Sequence, residues 1–468
     1  MNLTLRDLEA LPQGDLRGPR GVRDRTFTGV STDSRSVAPG NLFIALRGDR
    51  FDGHAYVADA IARGARAVVV ESSYHVSCEL AVPHVFVENT TTALGELALA
   101  YRKKFTIPVV AIGGSNGKTT TKEMIARVLG RRYSVLSTPG NLNNQIGVPQ
   151  TLFRLGPRHQ VAVVEIGTNH PGEIGYLCRI LEPTHGLVTV VGREHLEFFK
   201  TLGGVAREEG VLYTSLREVP GSVGFVNADD PRVVAIGRGL RRRIVYSVRS
   251  GHGTVRGKIE AVDAAGRAAV RIRVLRPARE ILLRLKIPGE HNALNAVAAA
   301  AVGVGFGVSL SSIGRALASF TPASKRMEVL RVGGVTLLND TYNANPDSMS
   351  AALRTLASSR GKGKRIAVLA DMLELGTKAG EEHARIGREA ARLGIDSLLT
   401  YGELAREIHR ASGMPGALHY DQKNVLAEYL VELAAPGDVI LVKGSRGMKM
   451  EDVVALFEER RKQRGPQA

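Results

Sequence analysis

Residues 109–120 read Val109-Val110-Ala111-Ile112-Gly113-Gly114-Ser115-Asn116-Gly117-Lys118-Thr119-Thr120. A short apolar run meets a glycine turn, and a helical pattern follows from Lys118 to Leu129. Glycines let successive backbone N–H groups turn inward around a phosphate, and the following helix N-terminus adds positive partial charge. In that setting Lys118 contacts the β- and γ-phosphates, the Thr119 hydroxyl faces Mg²⁺, and Thr120 completes the loop. The spacing departs from the usual form, with three residues instead of four between Gly113 and Gly117. A buried strand before the loop and a helix after it favour phosphate binding over a plain glycine turn.

Working outward, further apolar runs at 161–166, 187–191 and 223–226 are separated by helix-length segments, as in a doubly wound parallel sheet. Glu165 closes the first of them. A carboxylate at the carboxyl end of a parallel strand points into the ligand crevice, and Mg²⁺ takes one or two carboxylates beside phosphate and water oxygens. His195 follows the next run amid Glu194 and Glu197, a placement that favours a functional role over a packed histidine. Asn227, Asp229 and Asp230, just before Pro231, fit a site and a turn equally well. Residues 254–287 alternate apolar and polar, which predicts antiparallel strands appended to the sheet.

The fold class expected is α/β in three domains. Residues 1–106 form a mixed α/β domain with strands near 41–46, 67–71 and 84–88. Residues 107–320 form the central phosphate-loop domain. Residues 321–468 form a Rossmann-like domain with strands at 335–339, 366–370, 397–401 and 439–442. A length of 468 residues suits roughly three domains.

Hydrophobic residues make up 44% and charged residues 23%, enough to bury real cores and to exclude a disordered tail or a disulfide-stapled miniprotein. Cys78 and Cys178 match no metal-ligand spacing and read as buried or free thiols of a reducing compartment. Residues 1–20 hold no apolar core of signal-peptide length, and the run 296–308 is shorter than the ~20 residues of a membrane span. A cytoplasmic protein with no integral membrane segment is expected. The formal charge of +17 attracts acidic partners, whether nucleic acid, anionic lipid or a substrate with several phosphates and carboxylates. With aromatics at 5%, no Trp, and no rings interleaved with the basic runs at 241–243 and 362–365, nucleic acid is not expected and a solvated basic surface is.

These residues resemble the Mur ligase family, ATP-dependent amide-forming enzymes of peptidoglycan precursor synthesis. The likeness spans three blocks. The first carries Asp33-Ser34-Arg35 and Asp52-Gly53-His54; the second adds 138–149 (TPGNLNNQIGVP) and 289–296 (GEHNALNA) to the phosphate loop. The third carries Arg326-Met327-Glu328, 340–349 (DTYNANPDSM), 371–376 (DMLELG) and 443–446 (KGSR). Within that resemblance, 342–349 (YNANPDSM), 371–376 (DMLELG) and 169–174 (NHPGEI) point to the branch that adds D-alanyl-D-alanine to a UDP-N-acetylmuramoyl-tripeptide.

What the resemblance implies can be placed residue by residue. Lys118 and Thr119 serve ATP and Mg²⁺, with Glu165 and His195 as further metal-site residues. His291, Asn292 and Asn295 line the adenine pocket, and Arg326 and Asp340 reach phosphate and ribose. Ser34 and Arg35, with Asn143 and Asn144, hold the uridine-sugar substrate. Tyr342, Asn345 and Ser348 stand near the incoming dipeptide. The partners implied are small-molecule substrates, and a monomer is expected. Rival readings are a sibling ligase adding another amino acid, a basic ATPase stimulated by polynucleotide, and a non-enzymatic nucleotide sensor.

One departure matters. The family commonly carries, after the His-Leu motif, a carbamylated lysine whose carbamate ligates a second Mg²⁺; here that position is Glu209, and 207–210 (REEG) holds no lysine. Glu offers the same charge and hard oxygens, but its carboxyl carbon sits nearer the backbone by roughly 3–4 Å. A water, a shifted helix or Glu208 is expected to close the gap, and CO₂ is not expected to be required.

Overall fold

The computed structural model describes residues 1–19, 24–48, 51–74, 80–322, 324–359 and 363–463. Cys78 and Lys362, part of the basic run at 362–365, lie outside the described residues. Cys178 is buried in the helix Glu173–Leu181. The chain divides into two compact units: 1–111, 133–168 and 172–185 form one, and 112–132, 169–171 and 186–468 the other.

In the first unit a five-stranded sheet runs in the order Asp15–Arg17, His84–Val87, Ala67–Glu71, Leu42–Ile44, Val30–Ser31, antiparallel at its first pair and parallel after. Its central strands are buried on both faces, which is why Ala67–Val70 reads as an unbroken apolar run before Glu71. Phe43, Val57, Val68 and Val70 form part of one core cluster there.

A nine-stranded sheet follows the order Ala278–Pro288, Arg267–Leu275, Val255–Val262, Arg243–Ser247, Val223–Asn227, His185–Val188, Val109–Gly113, Val161–Glu165, Val135–Ser137. The last two pair in parallel, whereas 255–288 is an antiparallel meander, as the alternation predicts. The strand order reverses at Val109–Gly113, so the glycine turn sits at a topological switch point, where open α/β sheets bind ligands. The helix Lys118–Leu129 lays Met124, Ile125, Val128 and Leu129 inward. It packs on the helix Glu290–Gly305, which accounts for most of the Ala-rich run and is buried nearly all round. Among the described residues, no helix is long and apolar enough to cross a membrane.

The second unit holds a six-stranded sheet in the order Glu328–Val332, Val335–Asp340, Val439–Lys443, Arg365–Ala370, Ser397–Tyr401, Ala417–Tyr420. Only its first pair is antiparallel. The last strand in sequence lies between the second and third, so the loops after Asp340, Ala370 and Lys443 converge at one carboxyl end. Three of the sequence motifs begin in those loops.

Candidate active site

In the second unit the phosphate loop is held by side chains of distant segments. The helix Leu202–Arg217 approaches it so closely that Glu209 Oε2 accepts the Gly114 N–H at 2.7 Å. Only glycine permits this approach: a Cβ on residue 113 would stand 2.5 Å from that oxygen. Gly117 caps the next helix at φ +80°, and a Cβ there would stand 2.7 Å from Asn295 Oδ1. Asn295 is itself held by Asn292 at 3.0 Å. Thr189 accepts no role in the sequence reading, yet its hydroxyl donates to Asn116 O at 2.7 Å. Lys118 Nζ donates to Gly114 O at 2.5 Å and lies 3.4 Å from Glu194 Oε2. Thr119 and Thr120 are buried in the first helical turn.

Glu209 is wholly buried, and burial pushes its carboxyl up to about 8 against the opposing pull of Lys118; the Glu194 carboxylate pushes the same way as burial. Glu209 Oε1 and Glu194 Oε1 are buried with no hydrogen-bond partner among the described residues. Two such oxygens around a lysine-bearing phosphate loop cost folding energy unless a cation or donor meets them. Hard carboxylate and hydroxyl oxygens are among the donors Mg²⁺ takes. Among the described residues no three His, Cys, Asp or Glu side chains form a closed cage.

His195 sits in the left-handed region at φ +47°, and so does Glu374, of the 371–376 segment, at +63°. Their side chains meet with His195 Nδ1 2.7 Å from Glu374 Oε2. The contact holds the Glu374 carboxyl below its usual range, with burial opposing and the charge of His170 assisting. Glu197 N–H donates to Glu374 O at 3.2 Å, fixing the two loops by backbone as well. Glu374 thus leaves the other imidazole nitrogen of His195 as the one available for a metal.

Around this centre, Arg193 joins Asp347 at 2.5 Å and Glu382 at 3.1 Å. Asn345 and Ser348, expected near a dipeptide, form a reciprocal capping box at the start of the helix Pro346–Ser358. Asn345 Nδ2 also donates to Asn116 Oδ1 of the phosphate loop at 3.0 Å. Arg326 lies over the Tyr342 ring at 3.7 Å. Lys443, buried, donates to Asp340 at 2.6 Å, and Asp340 also accepts the Met327 N–H. His291 is pushed down to about 4, mainly by its dense surroundings, so it is neutral near pH 7. Asn227 and Asp230 prove to be tethers: one donates to Thr189 O at 2.8 Å, the other accepts the Val191 N–H at 2.8 Å and caps the helix Pro231–Ile236. Asp229 accepts the N–H groups of Val248, Arg249 and Ser250.

In the first unit, buried Glu165 ends its strand as expected and accepts from Asn143 Nδ2 at 2.9 Å. Asn144 turns inward as a cap, accepting the N–H groups of Ile146 and Gly147. Ser34 is buried in the turn Ser34–Ser36, and Arg35 beside it is exposed and paired with Asp33 at 2.7 Å, which draws the Asp33 carboxyl down to about 2. Gln150, not singled out from sequence, bridges to Thr32 at 2.9 Å and ties the 143–150 segment to the 32–35 turn.

Three family profiles match the chain: the Mur ligase family, catalytic domain, over residues 26–109; the Mur ligase middle domain over 112–303; and the Mur ligase, glutamate ligase domain, over 325–446. The UDP-N-acetylmuramoyl-tripeptide–D-alanyl-D-alanine ligase of Escherichia coli K12 is 36% identical over 468 residues, covering 98% of this chain and 99% of that one. The chain belongs to the Mur ligase family. The same enzyme of Treponema pallidum is 37% identical, covering 96% of each chain. Among solved structures, MurF from Acinetobacter baumannii superposes with a TM-score of 0.88 at 31% identity over 98% of this Mur ligase and 99% of that chain. MurF ligase from Thermotoga maritima in complex with ADP gives 0.83 at 27% identity, over 93% and 98%.

Proposed function

We propose that this Mur ligase joins D-alanyl-D-alanine to UDP-N-acetylmuramoyl-tripeptide, converting ATP to ADP and phosphate. The observation that carries the reading is the phosphate loop gripped by Glu209, with Lys118 between Gly114 O and Glu194. The terminal carboxylate of the tripeptide attacks the γ-phosphorus, ADP leaves, and an acyl phosphate forms. The amine of the dipeptide then attacks the acyl carbon and expels phosphate.

The difficult part is bringing an anion to a polyanion, which Lys118 and the loop amides ease by neutralising and aligning the phosphates. Mg²⁺, when bound, would supply further charge neutralisation, with Thr119, His195 and Glu209 as candidate donors in the second unit; Glu165 is the candidate carboxylate donor of the first. His195 supports the metal and does not act as a nucleophile. His291 and Asn292 serve the adenine, with Asn295 at the loop rim. Arg326, backed by Tyr342, and Asp340, backed by Lys443, serve phosphate and ribose. Ser34, Arg35 and Asn143 serve the uridine-sugar, with Asn144 shaping their loop. Phosphate release measured with each of ATP, UDP-linked tripeptide and D-alanyl-D-alanine omitted in turn tests the assignment. Dependence on all three supports it, and equal turnover with another amino acid as the amine overturns it.

A further inference from the structure

Ligation leaves the surplus charge of +17 unexplained. Residues 255–288 concentrate it, with nine Lys or Arg against three Asp or Glu and no aromatic residue. The antiparallel meander sorts these residues by face. Gly257, Ile272 and Ile281 are in register and face inward: a Cβ on residue 257 would meet Val297, and Ile281 packs against Gly314. The opposite face therefore carries Arg256, Lys258, Arg271, Arg273, Arg284 and Lys286. Arg256 lies directly across from Arg273, and Lys258 from Arg271.

Like charges placed opposite each other on a ladder are destabilising. Glu260 and Glu280 relieve Arg271, at 2.8 and 3.0 Å. Arg284 and Lys286 are exposed and have no acidic partner among the described residues, and exposed Arg273 stands across the ladder from Glu280, whose ion pair is with Arg271. Leu282, 50% exposed, stands on the same face across from Arg271.

We propose that this sheet face docks on an anionic lipid bilayer, its cations meeting headgroup phosphates and Leu282 reaching the acyl boundary. Cations surrounding an exposed aliphatic side chain suit a membrane interface. A face without rings gives nucleic-acid bases nothing to stack on. The proposal stands on the meander alone and is independent of the ligase substrates.

The test is cosedimentation of the full chain with phosphatidylcholine vesicles containing about one-third phosphatidylglycerol, beside neutral vesicles. Binding to the anionic vesicles only, weakened by salt, is expected. The triple substitution Arg273→Gln, Arg284→Gln, Lys286→Gln is expected to lower vesicle affinity on the order of 100-fold. Its ligase turnover should match the parent and its thermal unfolding should be no lower, since Arg273→Gln removes a like charge across from Arg256, and Leu282→Ser gives an independent second variant with weaker vesicle binding. No binding to anionic vesicles, unchanged binding by the triple variant, or tighter binding of the same face to single-stranded DNA than to vesicles would each overturn the proposal.

Discussion

Replacing Glu209 by Gln should move stability and activity in opposite directions. The parent carboxyl is wholly buried and its folded-state pKa is raised to about 8 from 4.5, mainly by burial. Below pH 4.5 folded and unfolded chains are both protonated and burial of the group costs little. As pH rises from there toward 8 the unfolded chain ionises first, so the parent loses stability relative to the variant, and the loss levels off above 8. The loss is the cost of ionising a carboxyl in a dry site, on the order of a few kcal/mol.

The Gln oxygen can still accept the Gly114 N–H, so the loop keeps its hold. Glu209→Ala, by contrast, orphans that N–H at a cost of about 1–3 kcal/mol. Thermal unfolding without nucleotide at pH 5 and pH 8, paired with phosphate release at saturating substrates, reads both quantities. The expectation for Gln is equal or higher stability at pH 8, a smaller gain at pH 5, and a large loss of turnover. A Gln variant that is less stable at pH 8 yet ligates normally would refute the reasoning and leave Glu209 a structural anchor alone.

Other expectations follow from the same geometry. Stripping CO₂ should leave turnover unchanged if Glu209 takes the part of the family's carbamylated lysine, as the sequence resemblance implies; rescue of a decarbonated preparation by bicarbonate would contradict this. Glu374→Gln should raise the Mg²⁺ concentration for half-maximal turnover by about 10-fold, since it removes the charge that orients His195; an unchanged Mg²⁺ titration would count against that role. Lys118→Ala should abolish turnover while calorimetry still detects the UDP-linked tripeptide, and loss of both would break the assignment of ligands to domains. Asn345→Ala should cost about 1 kcal/mol of stability through the lost cap, measured by denaturant unfolding.

The buried strands were legible because burial on both faces writes itself as continuous apolar runs: 67–71, 366–370 and 397–401 match the observed strands to within a residue. The edge strands Val135–Ser137 and Ala417–Tyr420 were not, because half-solvated short strands carry mixed residues. The helix Lys118–Leu129 has the bounds read from the helical pattern after the glycine turn. At the site, local motifs exposed the loop, Glu165 and His195. Arg193 with Asp347, and Glu374 with His195, were missed as pairs because each partner belongs to a different motif more than 100 residues away. Only the strand order, which places Val439–Lys443 between Val335–Asp340 and Arg365–Ala370, brings the third-block loops to one edge. Asn345 and Ser348 show the converse: polar residues of a recognisable motif whose side chains are engaged as helix caps.

The most direct measurement labels the terminal carboxylate of the UDP-linked tripeptide with ¹⁸O and follows the isotope through one round of ligation. Activation as an acyl phosphate requires the released inorganic phosphate to carry one labelled oxygen. Unlabelled phosphate alongside full formation of the amide product would contradict it.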